Sequence, residues 1–344
     1  MEGVPLYPAE LKTKYQQSGW WLGTTVLQAF DRTCDAYPEK KAIAEGEHWI
    51  TFSELRDYSK GAAVALKRLG IADRDPVLLQ VPNMIEAIYI YLGLLRIGGV
   101  PILCLPRHGQ RELERFAKLA EARAWIGPAG FGSSDYLPVV KAIREKVPSL
   151  EHAVVVRDDA PPGFVSFSQL MEGSRGGGAS DELEGAAPTD PNGLLHLAPT
   201  GGTTGLLKLV PKTHNNHLMK ANNFAQVLGL GPDTVGLVIS PINHDGPQGL
   251  HIGTMVLAGC SFVMCPSTRA KDIVEHIERE KVTYCFLVPA LLGDLVNMPD
   301  LDKHDLSSLR TVIISGARCP TELVKLAFEK IGNCFYNCFG MTEG

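Results

Sequence analysis

The chain has no C-x-x-C pair, no long basic run, no apolar stretch of membrane-spanning length and no repeat of solenoid period. Each absence removes a class of protein. The eight cysteines, Cys34, Cys104, Cys260, Cys265, Cys285, Cys319, Cys334 and Cys338, mostly sit inside apolar strand-like runs, with closest spacings of x4 and x3. That pattern argues for buried free thiols in a reducing compartment and against zinc ligation or a disulfide framework. The most apolar helix candidate, 84–100, carries Glu86 and Arg96 and is too short and too charged to span a bilayer. The N-terminus lacks an apolar core of signal-peptide length, so a cytoplasmic location is expected. A net charge of −5 without a basic run makes nucleic acid and anionic membranes poor partners.

What is present is a 344-residue chain with 45% hydrophobic and 21% charged residues. Those values suit a soluble globular protein with two or three layers or subdomains. Apolar strand-like runs alternate with helical patterns. Strands are predicted at 77–81, 100–105, 124–126, 153–156, 193–198, 209–214, 235–239, 261–265, 284–288, 311–314 and 334–337. Between them lie helical patterns such as 24–37, 53–70, 83–97, 216–228, 250–258 and 322–330, and a hairpin at 42–52. Continuous apolar strands in this alternation specify an α/β fold with largely parallel sheets. The Gly-, Ser- and acid-rich stretch 172–192 has little to bury and reads as a linker. The expected division is a first α/β subdomain at 1–185 and a second at 186–344.

The densest chemistry lies in Thr200-Gly201-Gly202-Thr203-Thr204-Gly205-Leu206-Leu207-Lys208. Glycines admit close backbone approach to a ligand. The threonines supply hydroxyls, and Lys208 a point charge. Successive backbone N–H groups in such a turn form an anion cradle. The competing reading is a flexible surface loop. Walker A spacing fails, because counting from Gly201 it needs glycine where Leu206 stands, which argues against a P-loop NTPase. A strand before the loop, and a second strand and helix after it, favour a nucleotide grip.

A second cluster, Ser240-Pro241-Ile242-Asn243-His244-Asp245-Gly246-Pro247, follows a predicted strand. A His-Asp pair there suggests a polar site at the carboxyl end of a sheet; an Asx-type turn with an exposed histidine is the alternative. Two further stretches, Ile314-Ser315-Gly316-Ala317-Arg318 and Asn337-Cys338-Phe339-Gly340-Met341-Thr342-Glu343-Gly344, would be an ordinary turn and a solvated acid if met in isolation.

Taken together, these stretches resemble the adenylate-forming superfamily of acyl-CoA ligases, luciferases and peptide-synthetase adenylation domains. The loop is similar to its phosphate-binding pattern [ST]-[SG]-G-[ST]-[ST]-G-x-P-K, with Leu207 in place of the usual proline. Tyr15 with Gly19-Trp20-Trp21, Leu79-Gln80-Val81-Pro82-Asn83, Val100 to Pro106 and Val210-Pro211-Lys212-Thr213-His214 resemble its stand-alone aryl-acid branch, the 2,3-dihydroxybenzoate–AMP and salicylate–AMP ligases. The resemblance implies ATP and Mg²⁺ as cofactors. It implies nucleotide binding by Thr200, Gly201, Gly202, Thr203, Thr204, Gly205 and Lys208. Gly316 and Ala317 would line both the adenine and acyl pockets. Within Phe339-Gly340-Met341-Thr342-Glu343, Phe339 would stack on adenine, Thr342 would touch the α-phosphate and Glu343 would hold Mg²⁺. His244, Thr342 and Glu343 form the expected catalytic set, and His244, Asp245, Gly246 and Leu250 the expected acyl pocket.

Two departures from the branch pattern bear on substrate. Asp245 stands where the branch has an asparagine facing the ortho-hydroxyl. A carboxylate only accepts, so its partner should be a donor or a cation; aminobenzoates such as anthranilate fit. Gly246 replaces an aromatic residue and widens one wall, and Leu250 replaces a serine that holds a meta-hydroxyl, which disfavours 2,3-dihydroxybenzoate. The expected activity is adenylation of an ortho-amino or ortho-hydroxy benzoate and its transfer to a carrier-protein phosphopantetheine or to CoA. The family continues past the position of Gly344 into a small mobile domain, so this chain alone is expected to be impaired. An aryl-CoA ligase is the nearest alternative, and a non-catalytic nucleotide- or aryl-acid-binding module the alternative from another class.

Overall fold

The computed structural model describes residues 4, 7–174, 182–183, 190–200 and 207–343. Fourteen of the described strands form two seven-stranded sheets. One sheet has the order β11 (Leu209–Thr213), β10 (Leu194–Pro199), β4 (Val100–Leu103), β3 (Pro76–Leu79), β5 (Ala124–Gly127), β8 (His152–Val155), β9 (Val165–Ser166). The other has the order β16 (Phe335–Asn337), β15 (Thr311–Ile314), β14 (Tyr284–Leu287), β12 (Val235–Val238), β13 (Ser261–Met264), β1 (Lys41–Glu45), β2 (His48–Thr51). A short hairpin, β6 (Gly130–Phe131) with β7 (Ser134–Asp135), stands apart. Pairing is parallel except at the edge strands β2 and β11, which fold back on β1 and β10.

The side-chain alternation of the strands defines the layers. Val77, Leu79, Leu103, Ala124 and Ile126 share a central core with Ile43, Phe262, Met264, Tyr284 and Ile313 of the other sheet. Helices Val26–Ala36, Phe52–Leu69 and Ile85–Arg96 contribute to that same core. The residues between face outward. Leu78, Ile102 and Trp125 pack with helices Gln110–Ala120 and Leu137–Lys146. Leu237, Val263, Cys285 and Val312 pack with helices Ala270–Glu280, Pro289–Val296 and Thr321–Lys330. The order is therefore helices, sheet, helices, sheet, helices. Helix Ile85–Arg96 is buried over nearly its whole circumference, and each of Ile88, Ile90, Leu92 and Leu94 stabilises the centre by about 1.5–3 kcal/mol.

Local signals explain the element ends. Thr25 with Gln28, and Thr51 with Glu54, form capping boxes that satisfy otherwise orphaned N–H groups. The helix ending at Leu69 stops at a left-handed Gly70.

Sheet membership crosses the expected boundary at residue 185. The early hairpin β1–β2 pairs with β13, while β10 and β11 join β3, β4 and β5. Strand pairing is set by distant packing, which a local pattern does not carry. Helix Ala9–Gln17, helix Leu137–Lys146, β9 and helix Phe167–Met171 were not among the expected elements. Most of the expected linker 172–192 lies outside the described residues. Six of the eight cysteines are buried, and Cys319 and Cys338 are half-buried. No described helix is long and apolar enough to cross a membrane.

Candidate active site

The motif residues gather where strands release the chain at their carboxyl ends, the usual ligand position in open α/β sheets. β12 leads to 240–247, β15 to 315–318 and β16 to 338–343, while the β10–β11 hairpin carries the 200–208 loop. Gly201, Gly202, Thr203, Thr204, Gly205 and Leu206 lie outside the described residues, but the neck of the loop is defined. Thr200 N–H donates to the Lys208 carbonyl at 3.0 Å, and Lys208 N–H donates to Thr200 Oγ1 at 3.1 Å. Arg115 Nε donates to the Leu207 carbonyl at 3.1 Å and ties the neck to helix Gln110–Ala120. Lys208 Nζ stands 3.9 Å from Glu343 Oε1. The neck residue Lys208 of one sheet and the final motif of the other thus meet, although they are far apart in sequence.

Around that meeting point Thr342 is 7% exposed and Phe339 is 92% exposed, an aromatic face open to a stacking partner. Gly340, Met341 and Glu343 are exposed beside it, as are Gly316 and Ala317. Gly316 has φ +87°, a left-handed turn that favours glycine. Gly344 lies outside the described residues. Among the described residues no group of three or more His, Cys, Asp or Glu side chains could hold a metal. The half-exposed Glu343 carboxylate is a hard oxygen donor that suits Mg²⁺ sharing its other ligands among phosphate and water.

The 240–247 turn is pinned by two asparagines acting between the sheets. Asn83 accepts from Ile242 N–H at 2.8 Å, and its amide donates to the carbonyls of Ile239 and Ser240 at 3.2 Å. The buried Asn243 amide lies 3.0–3.1 Å from the carbonyls of Leu79, Val81 and Cys104. His244 caps the following turn, its Nδ1 accepting from Gly246 N–H at 3.4 Å. Burial holds its pKa below the ordinary histidine value, with Asp245 opposing. A Cβ on Gly246 would meet only His244 Nδ1, at 3.7 Å, which leaves that wall open. Leu250 is 1% exposed and packs in the central core.

Asp245 is also buried, and the chain supplies its cation. Lys220 Nζ donates to Asp245 Oδ2 and to its carbonyl oxygen, both at 2.9 Å, while Lys212 Nζ stands 3.7 Å from Oδ1. Burial alone would raise the Asp245 carboxyl; the charges of Lys220 and Lys212 outweigh it and hold the pKa below the usual carboxylate value. Burial lowers the Lys220 pKa, with Asp245 acting the other way. The donor or cation that the sequence reading sought in a ligand is therefore already present on helix His214–Leu228.

The segment after Asp245 is a π-helical turn, Gln248–Gly253, a rare conformation frequent at functional sites, where an α-helix was expected to begin at 250. A Cβ on Gly249 would lie 2.2 Å from Lys220 Cε, so this glycine admits the lysine stem. Behind it lie His217, His196 and Tyr91. Tyr91 Oη and His196 Nδ1 share a hydrogen bond at 3.0 Å, and the two imidazoles are 5.5 Å apart edge to face. Burial drives both histidines well below the ordinary pKa, so they are neutral at pH 7. Sequence reasoning singled out none of Asn83, Lys220, His196, His217 or Tyr91 for a role here. The available signal was a helix whose first turns carry His214, His217 and Lys220, spaced at i, i+3, i+6 so that neighbours lie on one face.

An open depression of about 720 Å³, lined by Gln110, Arg111, Glu114, Arg115, Lys118 and Leu119, lies along helix Gln110–Ala120 and shares only Arg115 with these groups. The convergence of the motif residues, and not that hollow, marks the site.

Residues 30–344 match the family profile described as AMP-binding enzyme. The chain is 31% identical over 347 residues to 2-hydroxy-7-methoxy-5-methyl-1-naphthoate–CoA ligase of Streptomyces carzinostaticus, a match covering 99% of this chain and 62% of that protein. It is 31% identical over 350 residues to the salicyl-AMP ligase / salicyl-S-ArCP synthetase of Mycobacterium tuberculosis, covering 99% of this chain and 60% of that protein. The apo structure of Mycobacterium smegmatis MbtA superposes with a TM-score of 0.89 at 28% identity, covering 99% of this chain and 61% of the other. The chain thus spans less than two thirds of the length of these relatives.

Proposed function

Because this chain belongs to the AMP-binding enzyme family, we propose that it serves the ATP-dependent activation of an aromatic carboxylic acid and transfer of the acyl group to a thiol. The observation that carries this reading is the approach of Lys208 to Glu343 at 3.9 Å, beside the exposed ring of Phe339 and the buried Thr342. A cation on a closed loop neck, a carboxylate and a stacking surface are what a nucleoside triphosphate needs for its phosphates, its counter-ion and its base. The relatives named above, a 2-hydroxynaphthoate–CoA ligase and a salicyl-AMP ligase, support an aryl acid of the ortho-hydroxy type; the ortho-amino alternative rests on Asp245 alone.

In the proposed reaction the substrate carboxylate attacks the α-phosphorus of ATP in line. An acyl–O–P bond forms as the bond to the β-phosphate oxygen breaks, and pyrophosphate leaves. A thiolate then attacks the acyl carbon and AMP departs. The carboxylate is already ionised at pH 7, so no proton need be removed from it. Positioning and charge stabilisation carry the barrier reduction. Lys208 and the loop hydroxyls hold the outer phosphates, Thr342 meets the α-phosphate, Phe339 stacks on the base, and His244 with Asp245 orients the aryl acid. Mg²⁺, when bound at Glu343, supplies charge neutralisation at the phosphates. The thiol belongs to a carrier-protein phosphopantetheine or to CoA; the CoA ligase named above favours retaining both.

Titration with Mg·ATP tests the reading. Lys208→Ala and Glu343→Gln should each weaken ATP binding about tenfold, the loss of one charge-assisted contact, and leave aryl-acid binding unchanged. ATP binding indifferent to both substitutions would overturn it.

A further inference from the structure

Helix Gln110–Ala120 buries Leu113, Phe116, Ala117 and Ala120 and turns its other face over the depression of about 720 Å³. Arg111, Arg115 and Lys118 stand on that face at i, i+4 and i+7, a single stripe of a helix. Glu114 is the one carboxylate among the described lining residues. It is shared by Lys118 at 2.7 Å and by Lys146 of the neighbouring helix at 3.2 Å. Three cations against one carboxylate leave the lining with an excess of two positive charges, on a chain whose net charge is −5. Leu119, 59% exposed, adds an apolar surface beside them. Two contacts set the hollow against the active site. The helix follows the turn whose Cys104 carbonyl accepts from Asn243 Nδ2 at 3.0 Å, next to His244, and Arg115 Nε donates to the Leu207 carbonyl of the loop neck at 3.1 Å.

We propose that this hollow takes the phosphate-bearing nucleotide end of CoA as the thiol acceptor. The inference rests on the activation reading above and chooses its acceptor. CoA carries three phosphate groups and an adenine at one end and its thiol at the other, with the pantetheine arm between. Its charged end is therefore held to one side of the reacting carbon, and the hollow stands to one side, beside the turn that carries His244 and the neck that carries Lys208. Arg111 and Arg115 present planar forks that suit phosphate oxygens and stack on flat rings. Lys118 adds a point charge, and Leu119 offers the purine an apolar wall. Size decides between the two acceptors. A stable protein partner covers about 800 Å² and roughly 20–30 residues a side, far more than one face of one helix. A hollow of this volume falls within the roughly 300–1,000 Å³ of small-molecule sites. The single phosphodiester of a carrier protein's arm also leaves most of the excess charge unanswered.

The test is a calorimetric titration of the chain, held in saturating Mg·ATP so that the adenine site is filled. The titrants are CoA, dephospho-CoA, which lacks the ribose phosphate, and a carrier protein bearing phosphopantetheine. Arg111→Gln, Lys118→Gln and Arg111→Lys run beside the wild type. Both positions are exposed and stand apart from the nucleotide site, so Mg·ATP affinity should not change. CoA should bind about tenfold more tightly than dephospho-CoA, the difference of one charge-assisted contact. Each glutamine variant should weaken CoA binding about tenfold, and Arg111→Lys should recover part of the loss. CoA affinity should also fall as salt rises. CoA affinity indifferent to both glutamine substitutions would overturn the site. So would CoA binding only when Mg·ATP is withheld, or a carrier protein that binds and is weakened by these substitutions where CoA is not. If Mg·ATP binds and CoA does not, the hollow alone falls; if Mg·ATP itself fails to bind the wild type, the activation reading falls.

Discussion

Acid should unfold this protein through its buried histidines before its carboxylates titrate. Burial pushes His108 and His214 down to about 4 and His251 to about 3, with Arg107 adding to the effect at His108. Their contacts explain why the neutral form is required: His108 Nδ1 accepts from Leu105 N–H at 3.0 Å, and His214 Nδ1 accepts from Val26 N–H at 3.2 Å. A depressed native pKa means that the unfolded chain binds these protons first. The stability they contribute is complete above about pH 6.5 and is lost as pH falls toward the native values. At pH 5 each of the three costs about 2 kcal/mol, and together about 6 kcal/mol, comparable with the whole stability of a typical domain. His196 and His217 shift in the same direction and add to the loss. Lowered carboxyls such as Glu45 and Asp245 act only below the ordinary carboxylate range, so the interval from pH 6.5 to 5 belongs to the histidines. Urea unfolding at half-unit pH steps, followed by the fluorescence of the buried Trp125, should show stability falling with a slope approaching about 4 kcal/mol per pH unit, that of three protons. His108→Gln, which keeps an acceptor, should reduce that slope by about one proton. Stability that is flat between pH 7 and 5 would refute the reasoning.

Two further outcomes follow from the geometry. Asn243→Ala strips a donor from three buried carbonyls and should destabilise the protein by about 2–4 kcal/mol; a shift in urea midpoint worth less than about 1 kcal/mol would mean that the inter-sheet clamp is dispensable. Gly249→Ala drives a methyl into Lys220 Cε and should displace that lysine from Asp245, leaving a buried carboxylate short of its donor and lowering stability by about 1–3 kcal/mol, as read by the same urea midpoints.

The element order was legible because the chemistry is local. Wholly apolar runs such as Val77–Leu79 and Val312–Ile314, set between helical patterns, read as buried parallel strands, and Gly70 marks a helix end within a residue or two. The loop neck and the end motif were legible as motifs, but their meeting at Lys208 and Glu343 was not, because it depends on how two sheets face each other. The same holds for Asp245. Its need for a cation could be argued from the carboxylate alone, whereas the identity of that cation depended on a helix reaching across from β11. The π-turn was hidden because a helical apolar period does not distinguish one extra residue per turn. The two asparagine clamps carry no periodic signal at all.

The exchange of strands between the sheets has a consequence for the birth of the molecule on the ribosome. Ile43 must lie beside Phe262, so the first hairpin made waits for a partner synthesised more than two hundred residues later, about 10–40 s at ordinary elongation rates. Until then β1 presents an unpaired apolar edge. Conversely, the strands β3, β4 and β5 cannot be flanked by β10 and β11 until more than half the chain has emerged. The sheet that holds β1 and β2 is therefore split, its first hairpin separated from its other strands by the whole of the 76–213 sheet. A nascent chain halted before β13 has every strand of the sheet that holds β3 but only β1, β2 and β12 of the other, so it should occupy holdase chaperones until Ser261–Met264 arrives to pair with β1 and β12.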